Sequence, residues 1–203
     1  YLLSLPENQI KINNTILTYN NIIYTDAVNG NDTGGNGTRN NPYKTFDKAY
    51  SVAVSGEAVY LKEGTYTRTA TNYGVTFNKN GVSVIGDAGK TIIINNSTPS
   101  ISYGGFVNIP TVTSTTSIVY NIIFKGNKTW FSAVNDHDSY NTSRRFTFYN
   151  CVFDVQTSNI SYQNGSQPNM YNCVFTTTAN RIYVNRAGYR YTNCAFRTTS
   201  AFS

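Results

Sequence analysis

Residues 149–153 read YNCVF. The same five letters return at 171–175, TNCAF follows at 192–196, and YNIIF precedes them at 120–124. The asparagines of these copies are Asn121, Asn150, Asn172 and Asn193, at steps of 29, 22 and 21 residues. A step of roughly 20–50 residues marks a repeat architecture. Each copy alternates. Val119, Phe148, Met170 and Tyr191 lie two places before the asparagine. Ile122, Cys151, Cys173 and Cys194 come one place after it, and Phe124, Phe153, Phe175 and Phe196 three places after. Positions one and three along a strand share a face, so this face is apolar. Lys125, Asp154, Thr176 and Arg197, four places after, belong in water. No helical period of about 3.6 residues runs through the copies.

A unit this short cannot bury its apolar face alone and must stack on its neighbours. Coiling one strand-rich turn above the next predicts an all-β solenoid, a parallel β-helix, with equivalent residues about 4.8 Å apart along the axis. Phe then stacks on Phe, Cys on Cys and Asn on Asn. Asparagine tolerates a left-handed bend better than most residues, and stacked amides can bond along a ladder.

At 203 residues the chain is long enough for one domain with a substantial elongated core. Only 13% of it is charged, while Asn, Thr, Tyr and Gly abound and Ala and Leu are scarce, a composition that disfavours helices. No run of 18 or more apolar residues is present, which excludes a spanning helix and direct membrane insertion by this segment. The chain opens at Tyr1 with neither Met nor a signal peptide, so a processed chain or an excised piece is expected. The net charge of +6 is scattered; a nucleic-acid partner needs a clustered basic face. The three cysteines share one repeat position. That register predicts small buried apolar thiols, and no CxxC or Cys/His spacing supports a metal site.

Along the chain, residues 1–21 alternate weakly and read as an edge strand or the tail of a preceding module. Residues 22–58 read as a cap: a strand (IIYTDA), a long Gly/Asn/Asp loop at 28–42, and a short helix. In that helix Phe46, Ala49, Tyr50 and Ala53 fall at helical spacing, Thr45 is the expected N-cap and Gly56 the expected stop. Residues 59–203 supply about six coils of roughly 22–25 residues. A helix before the first coil has a physical task, because the open end of a β-helix exposes core side chains and unpaired strand edges. The chain stops at Ser203 just after a repeat, so a continuation or a second chain is expected over that end.

The run IIYTDAVNGNDTGGNGTRNNPYKTFDKAYSVAVSGEAVYLKEGTYT, 22–67, resembles the N-terminal cap of pectate-lyase-like right-handed parallel β-helix proteins, and GVTFNKNGVSVIGDAGKTIIINN is similar to their first coils. The resemblance covers residues 22–203 and implies the right hand of the coil. In style the Asn/Thr-rich, Tyr-rich chain with cysteines in its core looks most like adhesin-like surface proteins of archaea and bacteria. Such a fold hosts lyases, hydrolases, phage tail spikes and adhesins, so it does not by itself name an activity.

The repeat breaks between Asn121 and Asn150, where VNDHDSYNTSRR (134–145) is inserted. Asp136, His137, Asp138 and Arg144 are the catalytic candidates. Trp130, Phe131, Asp136, His137, Asp138, Tyr140, Arg144 and Arg145 are candidates for a sugar site, where aromatic faces stack and polar groups fix hydroxyls. The alternative is a solvated loop whose charges pair locally. Glycosidase carboxylates stand roughly 5–9.5 Å apart, a separation that almost any i, i+2 pair such as Asp136 and Asp138 can reach. Asp26, Asn29, Asn31 and Asp32 are candidate calcium ligands around Gly30, without the bidentate Glu of an EF-hand loop; the alternative is a connection rich in Asx-turns. Arg181, Arg186, Arg190 and Arg197, interleaved with Tyr183, Tyr189 and Tyr191, suggest an anionic partner surface or an ordinary polar face. Sequons begin at Asn13, Asn31, Asn36, Asn95, Asn96, Asn127, Asn141, Asn159 and Asn164 and can carry sugar in an exported chain.

The resulting expectation is an exported, extracellular or cell-surface, non-catalytic module that attaches to a surface glycan or a partner-cell protein. It requires no cofactor, with Ca2+ as the candidate ion. A polysaccharide lyase or glycoside hydrolase is the alternative, and a trimeric tail-spike-like receptor-binding protein a further one.

Overall fold

The computed structural model describes residues 5–12, 14–68, 75–87, 91–95, 105–109, 117–129, 132–136, 146–156, 159–162, 169–177, 183–184 and 190–198. A hairpin of β1 (Gln9–Ile12) and β2 (Thr15–Thr18) leads into β3 (Ile22–Thr25), the cap loop and α1 (Phe46–Val52). The coils follow. They are β4 (Ala58–Leu61), β5 (Gly64–Arg68) and β6 (Val75–Thr76); β7 (Ser83–Gly86), β8 (Thr91–Asn95) and β9 (Gly105–Ile109); β10 (Ser117–Tyr120), β11 (Ile122–Thr129) and β12 (Ser132–Asp136). Next come β13 (Phe146–Tyr149), β14 (Val152–Gln156) and β15 (Asn159–Tyr162); β16 (Asn169–Tyr171), β17 (Val174–Thr177) and β18 (Tyr183–Val184); then β19 (Arg190–Thr192) and β20 (Ala195–Thr198). Each strand pairs in parallel with its equivalent in the next coil. The result is three sheets, ordered β3-β4-β7-β10-β13-β16-β19, β5-β8-β11-β14-β17-β20 and β6-β9-β12-β15-β18. This is the parallel β-helix expected of the repeat.

The asparagine explains the corner between the first two sheets. Asn121, Asn150, Asn172 and Asn193 have φ of 56°, 53°, 53° and 51°, and they are the only non-glycine residues with positive φ among the described residues. A single left-handed residue turns the chain sharply between two strands, and an Asn side chain accepts that conformation. The corners also lock to one another. The Asn150 backbone N–H donates to the Tyr171 carbonyl at 3.0 Å and that of Asn172 to Thr192 at 2.9 Å. Asn172 Nδ2 donates to Asn150 Oδ1 at 3.3 Å, and Asn150 Nδ2 to Tyr120 Oη at 2.8 Å.

Inside, the register stacks like on like. Phe124 and Phe153 lie 5.1 Å apart, Phe153 and Phe175 4.7 Å, and Phe175 and Phe196 5.2 Å. Burial of Phe124, Phe153 and Phe175 contributes about 1.5–3 kcal/mol per ring, while Phe196 at the end of the stack is exposed. Cys151 and Cys173 are fully buried free thiols and Cys194 is partly buried. Their hydrogens go to carbonyls, Cys151 to Tyr149 at 3.4 Å and Cys194 to Thr192 at 3.5 Å. Burial pushes the Cys151 thiol well up from its ordinary pKa. Lys125 and Asp154, at the outward position, approach to 3.8 Å.

The N-terminal end of this core is closed by α1. Phe46, Ala49 and Tyr50 are buried, and Phe46 and Tyr50 meet Phe77 of the first coil at 6.3 and 5.9 Å. Thr45 caps the helix, its hydroxyl accepting the Lys48 N–H at 3.1 Å. Two details differ from the sequence reading. The helix ends at Ala53 rather than running to Gly56, because Lys79 Nζ takes the Ser51 and Ala53 carbonyls at 2.6 and 2.7 Å. Gly56 serves another contact: at φ +86° its backbone lies so close to Asn20 that a Cβ would fall 2.3 Å from the amide nitrogen. Gln9–Ile12 and Thr15–Thr18 pair as an antiparallel hairpin rather than an edge strand of the coils. It lies on the outer face of the first sheet, where Ile10, Ile12 and Tyr19 pack against Ile22, Ala58, Ile85 and Tyr120.

Asn172→Ala is expected to cost about 1–2 kcal/mol in urea denaturation, and Asn172→Gly less, because the left-handed φ is the larger demand. Equal losses for the two variants would place the effect in the amide instead.

Candidate functional site

The first sheet carries a second column on its outer side. Strand alternation that sends Ile23, Val59, Val84, Val119, Phe148 and Met170 inward turns the following residues outward. Register aligns these as Tyr24, Tyr60, Ile85, Tyr120, Tyr149 and Tyr171. The hairpin covers the middle of the column and leaves a cleft of about 480 Å³ at its N-terminal end, lined by β1, β3, β4 and the cap loop.

Two tyrosines form one wall of this cleft. The Tyr24 and Tyr60 rings lie 5.5 Å apart at 52°. Arg39 of the cap loop donates to Tyr24 Oη at 3.0 Å, with its guanidinium 5.2 Å from the ring centroid. That hydrogen bond raises the Arg39 pKa further. Arg39 makes no ion pair within 4 Å among the described residues, though the Glu7 carboxylate is near enough to add to the rise in its pKa. Tyr60 Oη donates to Asp87 Oδ1, and burial followed by this bond raises the Tyr60 pKa strongly. The other Asp87 oxygen accepts the Glu63 backbone N–H at 3.3 Å.

Asp26 forms the floor and is 5% exposed. Its Oδ1 accepts the N–H groups of Val28 and Asn29, both at 3.0 Å, and its Oδ2 the Asn29 amide at 3.3 Å and Lys62 Nζ at 2.7 Å. Burial pushes its pKa up, but the Asn29 N–H, Lys62 and the Val28 N–H outweigh this and hold the carboxyl far below its ordinary range. Gly30 packs here so tightly that a Cβ would lie 2.2 Å from the Tyr43 carbonyl oxygen. Both cleft carboxylates are therefore acceptors in internal bonds. A general acid gives a proton to the substrate and a general base takes one from it, so either must reach the reacting atom. The wall of rings and the guanidinium offer stacking faces and N–H donors to a ligand.

The candidate calcium ligands are arranged as turns. Asn31 Oδ1 accepts the Thr33 and Gly34 N–H groups, both at 2.9 Å. Asp32 accepts the Lys44 and Thr45 N–H groups at 2.8 and 3.0 Å and the Thr45 hydroxyl at 2.8 Å, tying the loop to the helix cap. Asn29 donates to Asp26. Among the described residues no group of three or more His, Cys, Asp and Glu side chains could hold a metal ion.

Of the insertion candidates, Asp136 ends β12, opposite Ile109 of β9. Trp130, Phe131, His137, Asp138, Tyr140, Arg144 and Arg145 lie outside the described residues, as do Arg181, Arg186 and Tyr189. Arg190 and Arg197 are exposed. Tyr191 is not interleaved with Arg190 on one surface: alternation sends it inward, 5.8 Å from Phe175 and 5.5 Å from Phe196. The cleft residues Tyr24, Arg39, Tyr60, Lys62 and Asp87 escape a search for clustered charge. Their signal is the tyrosine before the asparagine at 120, 149 and 171, extended back by register to Tyr60 and Tyr24.

Coils turned by asparagine, a helix over one end and an aromatic outer column define a capped parallel β-helix protein. The chain belongs to the family described as "Protein of unknown function (DUF1565)", which matches residues 28–198. No curated protein matches it. Among solved structures it is similar to a rhamnogalacturonan lyase, at 18% identity and a TM-score of 0.38, covering 86% of this chain and 50% of that one. It is also similar to the pectin methylesterase PemA from Erwinia chrysanthemi, at 12% identity and a TM-score of 0.41, covering 79% of this chain and 56% of that one. The chain thus spans about half the length of these structures.

Asp26 gives a pH prediction. Its folded pKa lies below the unfolded value near 3.9, so its bonds stabilise the fold fully above roughly pH 4 and are lost as pH falls through the folded pKa. Asp26→Asn should therefore be less stable than the native chain at neutral pH, with a shallower fall in its urea midpoint on acidification. An acid limb identical to that of the native chain would contradict this role.

Proposed function

We propose that the chain is a non-catalytic attachment module of an exported surface protein, and that it holds a glycan, free or on a partner cell, at the N-terminal cleft. The observation that carries this reading is the pairing of Tyr24 and Tyr60 with an Arg39 whose guanidinium has no carboxylate within 4 Å among the described residues, while Asp26 and Asp87 are engaged internally. Aromatic faces and a fork of N–H donors recognise sugar rings and their hydroxyls. Strands β3 and β4 hold the two tyrosines, and the cap loop brings Arg39 onto Tyr24.

A glycan array followed by calorimetry, with and without calcium, tests this. Binding is expected without release of reducing ends. Tyr24→Ala and Arg39→Ala should each weaken it by about ten-fold, equivalent to ~1.4 kcal/mol. Two results would overturn the reading: no binding to any glycan, or cleavage of a polysaccharide that is lost in Asp136→Ala or Arg144→Ala, which assigns an enzyme instead.

A further inference from the structure

The thiol column carries nucleophiles that neither the cleft nor the cap uses. Cys151, Cys173 and Cys194 are all free. Register aligns Tyr149, Tyr171 and Thr192 before them and Val152, Val174 and Ala195 after them. Two residues lie between these partners in every coil, the asparagine and the cysteine, so the cysteines sit directly above one another. Their backbones are bonded in the same order: the Val174 N–H donates to the Cys151 carbonyl and the Ala195 N–H to the Cys173 carbonyl, both at 2.9 Å. Neighbouring strands lie about 4.8 Å apart, inside the span of roughly 4.4–6.8 Å over which a disulfide joins two Cα atoms. The thiols also meet. The Cys151 thiol, bonded to that of Cys173, lowers the Cys173 pKa against the opposing pull of burial, and Cys194 adds to this from the other side.

The three differ in access. Cys151 and Cys173 are fully buried, whereas Cys194 is partly exposed. Cys194 belongs to the coil whose strands β19 and β20 end their sheets among the described residues, and Phe196 beside it in the stack is exposed as well. A reagent from solvent thus meets Cys194 first. The next thiol inward is Cys173, and Cys151 lies one coil further in. Thiol–disulfide exchange needs this order, with an accessible thiol to attack an outside disulfide and a second thiol beside it to resolve the mixed disulfide. Among the described residues the coil of β19 and β20 has a neighbour on one side only, and a terminal unit of a stack opens more readily than the units inside it.

We infer that Cys173 and Cys194 are a disulfide-forming pair, a modification site at which a small-molecule disulfide staples the coil of β19 and β20 to the coil before it. In the first step Cys194 loses its proton to solvent and its Sγ attacks the disulfide RSSR. The bond between the two reagent sulfurs breaks, RS⁻ leaves and a mixed disulfide Cys194–S–S–R forms. In the second step Cys173 loses its proton and its Sγ attacks Cys194 Sγ. The Cys173–Cys194 bond forms and a second RS⁻ leaves. Two protein thiols are oxidised, one RSSR is reduced, and the two protons end on two RSH. Cys151 remains a thiol. This site is independent of the reading given to the N-terminal cleft.

Oxidised glutathione serves as RSSR, applied to the full chain at neutral pH without denaturant. Remaining thiols are then alkylated after unfolding, and peptides are mapped by mass spectrometry. A cross-link between the Cys173 and Cys194 peptides is expected, with Cys151 alkylated. Cys173→Ser should stop at a glutathione adduct on Cys194, and Cys194→Ser should stay unmodified under the same conditions. The bond should slow amide exchange in β19 and β20 by roughly ten-fold or more, an effect that dithiothreitol reverses. The inference is overturned if the native chain keeps glutathione on Cys194 without forming the cross-link, or if Cys151 and Cys173 are joined instead. It is also overturned by a covalent dimer through Cys194, or if all three thiols stay free until urea is added.

Discussion

From β10 onward, the columns of the molecule depend on the left-handed bend at one asparagine per coil. The bend ends one strand and starts the next at a fixed angle, so side chains before and after it fall at the same height in each turn. A coil that bent elsewhere would break the backbone bond from Asn150 to Tyr171 and from Asn172 to Thr192. It would also move its phenylalanine out of a stack spaced by 4.7–5.2 Å. Because the side-chain period of a strand is two, a slip of one residue exchanges the inner and outer columns entirely. The core and the outer tyrosine face are thus set together by the same corner.

That coupling explains how much of the fold was legible. Asn-Cys-x-Phe names the corner, the thiol column and the ring column at once, and the stack follows from the spacing. The cap was legible because Thr45 and the apolar residues from Phe46 to Ala53 obey helix rules. The end of α1 was not, since it is set by Lys79, which is distant in sequence from the helix it closes. The hairpin was also hidden. Its alternation is weak because β1 and β2 each use a few apolar side chains, and the face they cover exists only once the coils have stacked.

The site was harder to read for a related reason. Charge density along the chain points to residues 136–145, whereas the cleft gathers Tyr24, Arg39, Tyr60, Lys62 and Asp87 from four separate segments. No local motif joins them; register does. The Asp26 to Asp32 loop shows the opposite case. Its closely spaced oxygens read in sequence as either calcium ligands or Asx-turns; in the structure Asp26 and Asn31 accept N–H groups of their own turns, and Asp32 accepts those of Lys44 and Thr45 at the helix cap. A Gly/Asn/Asp loop that must fold back over a helix cap needs those acceptors for its own backbone.

The central claim is therefore the register of the coils, and nitroxide pairs measure it directly. With the three native cysteines replaced by alanine, labels at Asp154 and Thr176 occupy partner positions on β14 and β17. Their backbones lie about 5 Å apart. Strong spin–spin broadening is predicted for this pair, and weaker broadening when the second label moves to Val174. An unbroadened spectrum for Asp154 with Thr176, or stronger broadening for Asp154 with Val174, would contradict the register and with it both columns.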